Sequence, residues 1–127
     1  MSLILLIDDN QHTRLATTEL LQDQGWAVVA ADTLQAARRQ LVSAGRKLQL
    51  PDLCLVELVL RRGNGFTAGA LLARHWRDRI NAVPTLLISD RLQSADTAWA
   101  RARGMSGVVS RCSGPRGMVR QISKYLQ

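Results

Sequence analysis

Cysteine is scarce in this sequence: Cys54 and Cys112 are the only two. Two thiols without metal-ligand spacing around them make neither a disulfide framework nor a zinc site. Both are expected as small buried or half-buried thiols. Aromatic residues are scarce too, with one Phe, one Tyr and three Trp. Trp26, Trp76 and Trp99 stand in core-like or helical contexts, so the stacking strand face of a single-strand nucleic-acid reader is missing. No apolar run approaches the roughly 20 residues of a membrane span. The start, MSLILLIDDN, lacks the basic region and cleavage site of a secretory signal. The expected location is the cytoplasm. Lysine is nearly absent, and acids are absent altogether after Asp96.

The chain has 127 residues, 46% hydrophobic and 21% charged, which suits one domain spanning 1–127. Fifteen Arg and two Lys against ten acids leave a net charge of +7. Five short apolar runs alternate with helical patterns: LILLI (3–7), WAVVA (26–30), DLCLVE (52–57), VPTLLIS (83–89) and SGVVS (106–110). They lack strict alternation, as strands covered on both faces do. Between them, Leu15, Leu20 and Leu21 mark a first helix stopped by Gly25, and Thr33 caps a second carrying Leu34, Ala37 and Leu41. A third helix is predicted over 66–76, and a fourth over about 94–103, stopped by Gly104. Gly114-Pro115 opens a fifth with the stripe Met118, Ile122 and Tyr125. Segment 43–50 is a slightly long connection. Strand and helix repeated five times predict a doubly wound α/β fold with a parallel sheet.

Ligands of such sheets bind beyond the carboxyl ends of the strands. There the first strand delivers Asp8 and Asp9, the third Glu57, the fourth Ser89 and Asp90, and the fifth Ser110 and Arg111. Taken singly, the acids after the first strand would serve as helix caps, Ser89 as a turn residue and Arg111 as a solvated charge. Together they form a polar set fit for a metal or a phosphate.

Over nearly its whole length the chain resembles the receiver domains of two-component response regulators, the single-domain chemotaxis type included. LILLIDDN resembles that family's first strand and acidic pair. PDLCLVELVLRRGNG resembles its third strand and loop, VPTLLIS its fourth strand and GMSGVVSR its fifth. The resemblance implies a flavodoxin-like five-stranded parallel sheet in the order 2-1-3-4-5. It implies Mg²⁺ held by Asp8, Asp9, the residue at 57 and the backbone carbonyl of Val59. It also implies a phosphoryl acceptor at 57, a hydroxyl at 89, a lysine at 111 and an aromatic reporter at 108. A carboxylate is a competent nucleophile toward phosphoryl groups, and cations neutralise charge on the transferring oxygens.

The sequence departs from that pattern where the chemistry is done. Glu57 replaces the acceptor aspartate, Arg111 the lysine, Cys112 the proline after it and Val108 the aromatic; Asp90 and Arg61 stand where a small residue and a proline are usual. A glutamate carries its carboxylate about 1.5 Å farther than an aspartate. A misplacement of about 1 Å costs on the order of 100-fold in a positioned reaction. Arginine is longer than lysine, and its fork suits a bidentate carboxylate contact. Glu57 and Arg111 are therefore expected to meet directly, with Ser89 nearby, and Mg²⁺ is expected to bind weakly or not at all. Glu57 has three readings at this stage: a tolerated carboxylate in a static module, a permanent phosphate mimic, or a working acceptor. Simultaneous change at 57, 108, 111 and 112 disfavours the last.

In receivers the fourth helix, fifth strand and fifth helix form a face used for output or dimerisation. Here that face carries Arg101, Arg103, Arg116, Arg120 and Lys124 and no acid after Asp96. Like charges disfavour a symmetric dimer there, and a signalling protein with an acidic surface, histidine kinase or effector, is the expected partner. The expected function is a phosphorylation-independent interaction module that is not itself an enzyme. The alternatives are a conventional phospho-switch and, from another class, a nucleic-acid adaptor. A sequence pI of about 11.0 favours the adaptor, but no nucleic-acid-binding motif accompanies it.

Overall fold

Short aliphatic runs form five strands in the computed structural model, which describes residues 2–43, 51–60 and 83–126. They are β1 Leu3–Ile7, β2 Ala27–Ala31, β3 Leu53–Glu57, β4 Thr85–Ser89 and β5 Gly107–Ser110. All pair in parallel, in the order β2-β1-β3-β4-β5. The expected order is the observed one. Every residue of β1, β3 and β4 is buried, which explains why their sequences show no polar alternation.

The side-chain period of two splits the core between the two faces of the sheet. Ile4, Leu6, Leu53, Leu55, Leu86, Ile88 and Val109 share one face with Leu21, Met118 and Ile122. These last three come from helices α1 (Gln11–Gln22) and α4 (Gly114–Ser123). Leu5, Ile7, Cys54 and Val56 point the other way and pack with Ala37 of α2 (Leu34–Ser43). A third cluster, Leu87, Ala100 and Met105, lies beneath α3 (Asp96–Ala102).

The signals of the first, second, fourth and fifth predicted helices sit close to where they were read, with corrections: Tyr125, read on the stripe of the fifth, lies beyond the end of α4 at Ser123. Thr33 Oγ1 accepts from the Ala36 N–H at the start of α2. Gly25 and Gly104 follow α1 and α3 with positive φ. Leu15, read as part of the apolar stripe of α1, is 52% exposed; Thr17 and Leu21 are the buried residues of that helix. Cys112 is exposed, whereas Cys54 is buried. The helix predicted over 66–76, Trp76, Arg61 and most of segment 43–50 lie outside the described residues.

The order 2-1-3 places the topological switch between β1 and β3, where the crossovers leave on opposite faces. The carboxyl ends of those two strands carry Asp8 and Glu57.

Candidate functional site

Asp8 follows β1 directly and is completely buried. Burial of a carboxylate requires partners, and both of its oxygens have them. Oδ1 accepts from the backbone N–H of Asn10 at 3.0 Å. Oδ2 accepts from Thr13 Oγ1 at 2.5 Å and from Arg111 Nη2 at 3.2 Å. The cap of α1 is Asn10, whose side chain accepts from the Thr13 N–H, so the cap role does not consume Asp8. Arg14 Nη1 donates to the carbonyl of Asp8, tying α1 once more to the end of β1.

Glu57, the last residue of β3, is 7% exposed. Its Oε2 receives both Nε and Nη2 of Arg111, at 3.2 and 3.0 Å. The guanidinium converges on one oxygen, so the contact is not the two-oxygen fork expected from sequence. The physical reason is competition: Nη2 is shared with Asp8, which turns the plane of the group toward β1. Nη1, at the other corner, donates to Thr17 Oγ1 at 2.5 Å. Arg111 thus joins β3, β1 and α1 from the turn after β5, with only 14% of its side chain exposed.

Desolvation raises the Glu57 carboxyl above its ordinary value; the Arg111 hydrogen bond and charge oppose this, and the charge of Asp8 adds to it. One cation shared by two buried carboxylates explains that balance.

Arg111 is aimed by its local backbone. A short 3-10 turn, Arg111–Ser113, interrupts the passage from β5 to α4. Ser110 Oγ accepts from the Cys112 N–H, and Gly114 leaves the turn at φ 76° and ψ 172°, a conformation reserved to glycine. Cys112 Sγ donates to the Asp90 carbonyl at 3.3 Å, linking the loops after β4 and β5.

The other sequence candidates are arranged around this pair. An open cleft of about 340 Å³ is lined by Asp8, Asp9, Asn10, Thr13, Glu57, Val59, Leu60, Asp90, Arg91 and Arg111. The Val59 side chain is 59% exposed at its mouth. Ser89 is fully buried, but its Oγ accepts from the Arg91 N–H and closes the turn after β4; it does not join the Glu57–Arg111 contact. Val108 is half-buried against the cluster beneath α3. Arg101, Arg103, Arg116, Arg120 and Lys124 are all exposed. Trp99 is also exposed, at 52%, with the Arg103 guanidinium 4.7 Å from its ring centroid.

Sequence reasoning missed Thr13, Arg14 and Thr17. Thr13 and Thr17 are four apart on α1 and share a face. Their polarity on the inward side of a helix that starts beside two acids was the available signal.

The residues do not fit Mg²⁺ in this arrangement. That ion takes octahedral oxygen ligands at roughly 2.0–2.1 Å. Here a guanidinium stands 3.0 Å from Glu57 and 3.2 Å from Asp8, between the two carboxylates a metal would use. Among the described residues, no three acidic, His or Cys side chains are grouped to hold a metal ion.

Comparison with known proteins bears on the whole chain. The model of the family described as "Response regulator receiver domain" matches residues 4–123. Protein PilH of Pseudomonas aeruginosa is 23% identical, over 99% of this chain and 98% of its own length. The KDP operon transcriptional regulatory protein KdpE of Escherichia coli is 32% identical over 87% of this chain, which spans 45% of that longer protein. The structure of chemotaxis protein CheY4 from Vibrio cholerae superposes with a TM-score of 0.80 at 19% identity, covering 99% of both chains. The chain belongs to the response regulator receiver domain family, the receiving component of two-component signalling.

Proposed function

We propose that this receiver domain works without phosphorylation, as a static protein-interaction module with no enzymatic activity of its own. The observation that carries the reading is the Arg111 guanidinium seated on Glu57 and Asp8. A carboxylate attacks phosphorus through a lone pair on one of its oxygens. Oε2 of Glu57 is committed to two N–H groups of the guanidinium that fills the space in front of it. The aromatic position holds Val108, packed in place beneath α3, so the group that would report a phosphate is missing as well. Of the two readings that leave Glu57 unphosphorylated, the static one is favoured over the permanent mimic for this reason.

The surface left for signalling is the α3–β5–α4 face. It presents five exposed cations together with the exposed Trp99. Trp and Arg are the residue types that anchor protein interfaces. An acidic protein surface, on a histidine kinase or an effector, complements that face in charge. No helix among the described residues is long and apolar enough to cross a membrane.

Incubation with acetyl phosphate and Mg²⁺, followed by intact-mass measurement, tests the reading. The unmodified mass is expected, also after Glu57→Asp alone, because Arg111 remains. A phosphoryl adduct on the wild-type chain would replace the static module with a conventional switch.

A further inference from the structure

The polar cluster at the carboxyl edge holds a fixed cation where its acids converge. Arg111 reaches Asp8 and Glu57 at 3.2 and 3.0 Å, and Thr17 holds the outer corner of its guanidinium. A divalent ion bound among these acids would neutralise Asp8 and Glu57 and link the ends of β1 and β3. The guanidinium does both from within the chain. It enters from the turn after β5, and the glycine conformation at 114 and the Ser110–Cys112 hydrogen bond fix its approach.

We infer that Arg111 is a built-in replacement for a divalent cation, its guanidinium taking the place between Asp8 and Glu57 that such an ion would need. The charge argument has two sides. With Arg111 in place, a metal must displace a cation that makes three hydrogen bonds to the same carboxylates. With Arg111 removed, the two buried carboxylates, Asp8 and Glu57, lose their counter-charge. Buried unpaired charges are strongly destabilising. Hard divalent ions favour carboxylate oxygens, so a metal then becomes the available source of compensation. The same side chain that excludes the ion also makes the fold independent of it.

The inference rests on the closed site described above, but it is read by metal binding and not by phosphorylation. Mn²⁺ serves as the probe, followed by electron paramagnetic resonance of the free ion, with thermal unfolding in Mg²⁺ or chelator as a second measurement. The wild-type chain is expected to leave Mn²⁺ free at millimolar concentration and to melt at the same temperature with and without Mg²⁺. Arg111→Ala is expected to bind Mn²⁺ at least about tenfold more tightly, which corresponds to about 1.4 kcal/mol, and to regain melting temperature in Mg²⁺. Adding Asp8→Asn to Arg111→Ala should abolish the gain. Should Arg111→Ala fail to fold in chelator, its recovery by Mg²⁺ is the same result, and Arg111→Gln supplies the affinity. Mn²⁺ bound equally well by the wild type and the Arg111 variants would overturn the inference. So would variants that bind no more tightly than wild type. A phosphoryl adduct on the wild-type chain would instead overturn the static-module reading.

Discussion

Arg111 and Thr17 meet at 2.5 Å across 94 residues of chain, and the threonine is 2% exposed. A buried hydroxyl on the inward face of a helix needs a reason. Here the reason is a guanidinium whose Nη1 has no other recorded acceptor among the described residues. The helix that follows β1 therefore positions the cation that closes the site, and α1 contributes to the chemistry as well as to the core.

Thr17→Val tests that role with almost no change in volume. It leaves a donor of a charged group unsatisfied in a nearly dry place, at a cost of roughly 1–3 kcal/mol. Denaturant unfolding should show a lower midpoint with an unchanged slope. A midpoint equal to wild type would mean that Arg111 is held by the carboxylates alone.

Glu57→Gln separates charge from shape through its pH dependence. Because burial raises the folded-state carboxyl above the ordinary 4.5, the folded chain keeps a proton that the unfolded chain has released. Stability from this group thus falls as pH rises through the interval above 4.5, and the loss is complete beyond the folded value. Glutamine does not titrate and lacks that loss. Unfolding free energies followed from about pH 4 to about pH 8 should move in favour of the variant as pH rises. Parallel curves for the two proteins would contradict the raised carboxyl.

The five strands, the glycine stops and the Thr33 cap were readable because each rests on a local rule of period, φ or side-chain reach, whereas the strand order came from the family resemblance. The Glu57–Arg111 contact was also readable, because two over-long partners of opposite charge at adjacent strand ends must fill the space between them. The sharing of one guanidinium among Glu57, Asp8 and Thr17 was not. It depends on the angle at which the 3-10 turn launches Arg111, and nothing in Ser110-Arg111-Cys112 encodes that angle without its neighbours. The choice of Asn10 over Asp8 as helix cap was hidden for a similar reason: three adjacent residues could all cap, and tertiary demand for a buried carboxylate selected among them.

Gly114→Ala should misaim that turn. A Cβ there meets nothing within 4 Å, so the cost comes from the backbone conformation alone. It amounts to roughly 1–3 kcal/mol, measurable by denaturant unfolding. A loss below about 0.5 kcal/mol, the range of neutral surface changes, would show that the turn relaxes without penalty.

The α3–β5–α4 face should not support a symmetric dimer. Its exposed residues Arg101, Arg103, Arg116, Arg120 and Lys124 would face their own copies. Sedimentation at low salt, where charge repulsion is least screened, is expected to show monomers at micromolar concentration. Reversal of two of these charges, Arg101→Glu with Arg120→Glu, removes the repulsion and tests its contribution. A wild-type dimer abolished by that double change would establish the opposite use of the face.

Asp8 is made early and its counter-charge late, 103 residues farther along. During translation, the first half of the sheet must wait with its acids uncompensated until the segment after β5 leaves the ribosome. Ribosome-bound chains stalled before position 111 should consequently resist stable folding, however complete their strands.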